Sequence, residues 1–160
     1  MSITAADIMT TNVKTVSPDA SVAEVARVLS DNGISAAPVC DDQGKVIGML
    51  SEGDLLRPVS HGSSVRRSWW LNLLAEGTDL APQFADYIRL DNRRARDLMQ
   101  TGVITAAEGT TAPELADLLT QHHIKRVPVL CDGKLVGIVS RADLVRAMAR
   151  SPEALVDPVT

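Results

Sequence analysis

The chain has 160 residues, 45% hydrophobic and 22% charged, which is enough apolar content to bury a sizeable core in one domain or two dependent halves. A net charge of −4 and a pI near 5.3 exclude a nucleic-acid binder held by phosphate contacts, which needs a basic face. No apolar run approaches the roughly 20 residues of a membrane span, and the N-terminus lacks a basic region followed by an apolar core, so the expected location is cytoplasmic.

From the N-terminus, Ala5 to Thr10 reads as a short helical turn and Val13 to Val16 as a short strand. Ser21-x-x-Glu24 is a capping box, and Val22, Val25, Ala26, Val28 and Leu29 recur behind it at helical spacing. Ala37 to Cys40 and Val46 to Leu50 read as paired strands across a turn, and a last helix starts after Ser51 carrying Asp54-Leu55-Leu56.

Pro58 to Arg94 follows a different pattern. It holds every aromatic residue of the chain, Trp69, Trp70, Phe84 and Tyr87. Two helices around Trp69–Leu74 and Phe84–Leu90 are expected, separated by a turn through Gly77 and Pro82. The cluster reads as cover for the domain's own apolar surface, with a subunit interface as the second reading.

The order then repeats. Asp97-Leu98-Met99 matches Asp7-Ile8-Met9 at an offset of 90, and Thr111-x-x-Glu114 matches the first capping box. Leu115, Leu118 and Leu119 form the second apolar stripe, and Pro128-Val129 matches Pro38-Val39. After the turn the offset falls to 89, so that Gly133–Val145 (GKLVGIVSRADLV) matches Gly44–Leu56 (GKVIGMLSEGDLL). The lost residue lies between Asp41-Asp42-Gln43-Gly44 and Cys131-Asp132-Gly133, where a hairpin turn absorbs it. The chain is a duplication.

Each copy carries Ser-x-x-Asp ahead of an apolar helical run. That pattern is a capping box, worth about 1 kcal/mol to its helix. The same carboxylate can also accept from both hydroxyls of a ribose, beside a helix N-terminus suited to phosphate. The copies differ around it: Arg141 and Lys125-Arg126 belong to the second, whereas Glu52 and Ser35-Ala36 stand in the first. Arginine is the better phosphate donor, and the bland reading of each of these cations alone is a solvated surface charge. His122 and His123 close the second long helix with no third ligand in evidence, Cys40 and Cys131 read as buried free thiols with a regulatory disulfide as the minor alternative, and no metal site is expected. Neither a nucleophile elbow nor a glycine-rich phosphate loop is present, so no catalytic residue is assigned.

The duplicated series Asp-Ile-Met-Thr, Val-x-Thr, Ile-Ser-x-x-Pro-Val and Gly-x-x-Ser-x-x-Asp-Leu resembles the cystathionine-β-synthase (CBS) domain, and the tandem resembles a CBS pair, or Bateman module. Arg66-Arg67-Ser68-Trp69-Trp70 is similar to a linker of some bacterial CBS-pair proteins. The resemblance implies an α/β (α+β) fold of two β-α-β-β-α units about a pseudo-twofold axis: unit 1 over 5–60, a helical aromatic insert over 61–94, unit 2 over 95–150 and a tail over 151–160. It implies a non-enzymatic sensor that needs no cofactor. The sensor binds AMP, ADP, ATP or S-adenosylmethionine between the units, and it signals through homodimer or partner packing.

By the same resemblance, the favoured cleft uses Ser140 and Asp143, with adenine near Lys14, Ile34, Ser35 and Ala36 and phosphate on Arg126, next to Arg141. A second, weaker cleft uses Ser51 and Asp54, with adenine near Ile104, Ile124 and Lys125. The competing expectation is a ligand-free dimerisation or protein-docking module working through Trp69, Trp70, Phe84 and Tyr87.

Overall fold

A computed structural model describes residues 2–56 and 92–155. The expected helices around Trp69, Trp70, Phe84 and Tyr87 lie outside the described residues. The first half runs α1 (Ala5–Ile8), α2 (Val22–Asp31), β1 (Ala36–Cys40), β2 (Val46–Ser51) and α3 (Glu52–Leu55). The second runs α4 (Ala95–Leu98), β3 (Ala106–Ala107), α5 (Ala112–Gln121), β4 (Arg126–Cys131), β5 (Lys134–Ser140) and α6 (Arg141–Arg150), followed by a 3₁₀ turn at Pro152–Leu155. No helix among the described residues is long and apolar enough to cross a membrane.

Helices α2 and α5 begin where Ser21 and Thr111 accept from the backbone N–H groups of Glu24 and Glu114, at 3.1 and 3.4 Å. Each helix buries one stripe, Val22, Val25 and Leu29 in α2 and Ala112, Leu115 and Leu119 in α5. These stripes cover the antiparallel pairs β1–β2 and β4–β5. The β4–β5 turn places Asp132 and Gly133 both at positive φ, the two-residue geometry that Asp-Gly favours. The first hairpin accommodates its extra residue with Asp41, whose carboxylate accepts from the backbone N–H groups of Gln43 and Lys45, each at 2.9 Å.

The strand expected over Val13–Val16 is reduced to a single parallel bridge from Val16 to Val39. Its counterpart β3 runs parallel to β4.

Each leader packs on the other half. Ala5 lies in the core of Leu115, Leu119, Val127, Val129, Val139 and Leu144, whereas Ala95 and Leu98 lie in the core of Val25, Leu29, Val39 and Leu50. Backbone bonds fix the exchange: Thr10 pairs with Ile138 at 2.9 and 3.0 Å, and Gln100 with Met49 at 2.8 and 3.0 Å. By contact, therefore, the residues aligned as the start of each repeat complete the opposite unit.

Candidate functional site

The two Ser-x-x-Asp elements form the capping boxes expected of them. Asp54 Oδ2 accepts from Ser51 N at 2.8 Å and from Ser51 Oγ at 3.0 Å. Asp143 Oδ2 accepts from Ser140 N at 2.7 Å and Ser140 Oγ at 3.0 Å. Both aspartates are only 6% exposed, and among the described residues they are the buried charged side chains. Burying a carboxylate is costly unless its oxygens are satisfied, and the cap satisfies only one oxygen of each. At Asp54 the other, Oδ1, accepts from Gln100 Nε2 at 3.0 Å. At Asp143 it is bound by Arg146 from its own helix.

A cleft of about 490 Å³ opens beside Asp54. One wall is the first unit, with Ser35, Met49, Ser51, Glu52 and Asp54; the other is Gln100 to Ile104 followed by Ile124, Lys125 and Arg126. Gly102, at φ +66°, turns the chain between Gln100 and Ile104 in the left-handed region that glycine tolerates best.

The structure thus brings together all five residues expected around Asp54, namely Ser51, Asp54, Ile104, Ile124 and Lys125. It also places Ser35 and Arg126 in this cleft, on opposite walls, although the sequence reading assigned both to the Asp143 cleft. The reason is the reach of Arg126. Its backbone starts β4 opposite Ser140, but its guanidinium crosses to the first unit, where Nη2 donates to Ser35 Oγ at 2.7 Å. Burial, with the neighbouring Arg141 cation, lowers the Arg126 guanidinium from its ordinary value, while Glu52 acts in the opposite direction. A guanidinium beside a second cation is a ready partner for an anion.

Around Asp143, Arg141 N donates to Lys125 O at 3.0 Å, the equivalent of Glu52 N donating to Ser35 O at 2.9 Å. Ser140 and Asp143 are joined by the cap, Lys14 is exposed, Ile34 packs against the first core and Ala36 is buried. A separate groove of about 350 Å³ passes Asp143 on the side of α1, between Asp7 and Thr10 and the arginines Arg146 and Arg150. Of the residues lining the Asp54 cleft, the sequence reading missed Gln100, a ligand of Asp54, and wall residues such as Met49, Thr101 and Val103, and it noted Glu52 only for its charge beside Asp54. The repeat itself held a signal for Gln100, since it aligns with Thr10 where the flanking Met is kept. Among the described residues no group of three or more His, Cys, Asp or Glu side chains is placed to hold a metal ion.

Two interlocked α/β units, each presenting a capped aspartate at the seam with the other, define a duplicated α/β module with clefts between its repeats. The chain belongs to the CBS domain family: the family's model matches it over residues 5–61 and 95–150. An uncharacterized protein of Methanocaldococcus jannaschii is 33% identical over 138 residues, 81% of this chain and 82% of its own length. The CBS domain of a CBS-domain-containing membrane protein from Sphaerobacter thermophilus superposes with a TM-score of 0.70 at 31% identity, covering 91% of this chain and 87% of that one. CBSX2 in complex with AMP, a protein of Arabidopsis thaliana, superposes at 0.69 with 26% identity, over 94% of this chain and 99% of the other.

Proposed function

We propose that this CBS pair is a regulatory module that takes an adenosine nucleotide into the Asp54 cleft. The observation carrying this reading is the convergence of a buried carboxylate, two isoleucines and a guanidinium on about 490 Å³, within the usual range for small-molecule sites. Adenine lies against Ile104 and Ile124, the ribose hydroxyls donate to Asp54, and the phosphate meets Arg126 and Lys125. The AMP complex of CBSX2 supports the choice of ligand class. The Asp143 element, with Lys14, Ile34, Ser35, Ala36, Ser140 and Arg141, is the second position of the same reading, and Arg126 stands between the two.

Occupancy is reported through packing against a second copy or a partner. Leu56 and Val145 hold equivalent places in the repeat and are 43% and 61% exposed, with Met148 one turn further along α6 at 56%. That apolar surface also favours the second reading, a homodimerisation module that needs no small ligand.

Calorimetry with AMP, ADP, ATP and S-adenosylmethionine separates the alternatives. The nucleotide reading expects AMP binding that Arg126→Ala weakens about tenfold or more, the scale of a lost charged hydrogen bond. A module built for S-adenosylmethionine, which has no phosphate, would bind that compound in preference to AMP, ADP and ATP. Absence of any binding at millimolar ligand, with Val145→Asp breaking a dimer, would leave the ligand-free reading.

A further inference from the structure

Asp54 commits its two oxygens differently. Oδ2 belongs to the fold, through the Ser51 cap, while Oδ1 accepts from Gln100, 46 residues away in sequence. Gln100 is not placed there by that side-chain bond alone. Its backbone pairs with Met49 in both directions, and Met99 beside it packs against Gly48. The amide is therefore delivered to the cleft wall by main-chain geometry. At the corresponding point of the other half stands Thr10, with the same backbone pairing to Ile138, and the second oxygen of Asp143 is taken by Arg146.

We propose that Gln100 is a specificity-determining residue that reads the sugar hydroxyls in the Asp54 cleft; this rests on the nucleotide reading above. A primary amide that spends one N–H on Asp54 keeps a second N–H and a carbonyl with two lone pairs, and a carboxylate oxygen can accept more than one hydrogen bond. Side by side, the carboxylate and the amide offer two acceptors and a donor, the set that two adjacent hydroxyls require. A sugar missing one hydroxyl leaves part of that set unpaired against the ligand, and sites built to bond a hydroxyl reject analogues lacking it. Threonine at the same place has one short hydroxyl and does not supply this set.

The test measures dissociation constants of AMP and 2′-deoxy-AMP by calorimetry for the wild type and for Gln100→Thr, the residue that the other half already carries on the same backbone. Gln100→Met, which fills similar space without a polar atom, is the second variant, and melting temperatures verify folding. The wild type is expected to prefer AMP about tenfold or more, and both variants are expected to lower that ratio by about threefold or more, the remainder being the share of Asp54. A ratio unchanged in both variants, with AMP still bound, overturns the role of Gln100 and leaves the nucleotide reading intact. A wild type that binds no AMP overturns both.

Discussion

Gly48 and Gly137 show how single residues fix this structure. A Cβ added at Gly48 would lie 2.8 Å from Met99 Cγ and 3.0 Å from its Cβ, and one at Gly137 would lie 2.7 and 3.0 Å from the same atoms of Met9. Each glycine is thus a seat for a methionine from the leader that completes its unit. Gly48→Ala is expected to cost about 1–3 kcal/mol by overpacking, read from denaturant unfolding, and Met99→Ala in the same chain should recover part of the loss. The repeated glycines were plain in the sequence. Their purpose was not, because the atoms that demand them come from the opposite half. The resemblance put Arg126 and Ser35 together in the Asp143 cleft; the guanidinium does donate to Ser35 Oγ, and both residues also line the cleft beside Asp54. Cys40 yields a pH prediction. Burial, then the Asp41 carboxylate, raises its thiol above the ordinary value, which keeps it protonated at neutral pH. A disulfide reagent should therefore modify it slowly at pH 7 and faster as pH rises, whereas rapid reaction at pH 7 would contradict this environment. Because the folded form holds the proton more tightly, any stabilisation from this group is present below the unfolded thiol value of about 8.5 and lost as pH rises through the folded one.

Among the elements, the helices were the most legible. The capping boxes expected at Ser21, Thr111, Ser51 and Ser140 mark four starts, and a helix begins at each; the reciprocal box forms at Thr111, Ser51 and Ser140, whereas at Ser21 only the hydroxyl cap on Glu24 N forms. Thr111→Ala removes the side-chain acceptor at α5 and is expected to cost about 1 kcal/mol, seen as a lowered melting temperature with AMP affinity unchanged. A matching drop in affinity would mean that α5 helps to shape the cleft. The strands were less legible. Val13–Val16 has strand-like composition, yet its only described pairing as a strand is the bridge from Val16 to Val39, because composition measures suitability for a sheet and not the presence of a partner. The Ser-x-x-Asp elements carried two meanings in the sequence, cap and ribose ligand. The structure forms the cap at both sites and leaves the second oxygen of each aspartate to separate partners, Gln100 and Arg146.

In the whole molecule, the exchange of leaders makes the halves interdependent. Ala95 and Leu98 are buried in the first core, and Ala5 in the second. Removing residues 1–10 should therefore destabilise the second unit, the one distant in sequence, with amide exchange accelerating at Val127, Val129 and Val139; acceleration confined to the first unit would contradict the exchange. The duplication was readable from the sequence, but the interlock was not, since alignment compares each half with its copy and says nothing about which half a segment touches. The same interlock places Gln100 and Ile104 on the Asp54 side of the seam and creates the cleft. A crystal structure of the full chain grown with AMP tests the central claim most directly. The expected result is AMP in the Asp54 cleft, its ribose hydroxyls on Asp54, its adenine against Ile104 and Ile124 and its phosphate on Arg126. An empty Asp54 cleft at saturating AMP, or AMP held only beside Asp143, would contradict it.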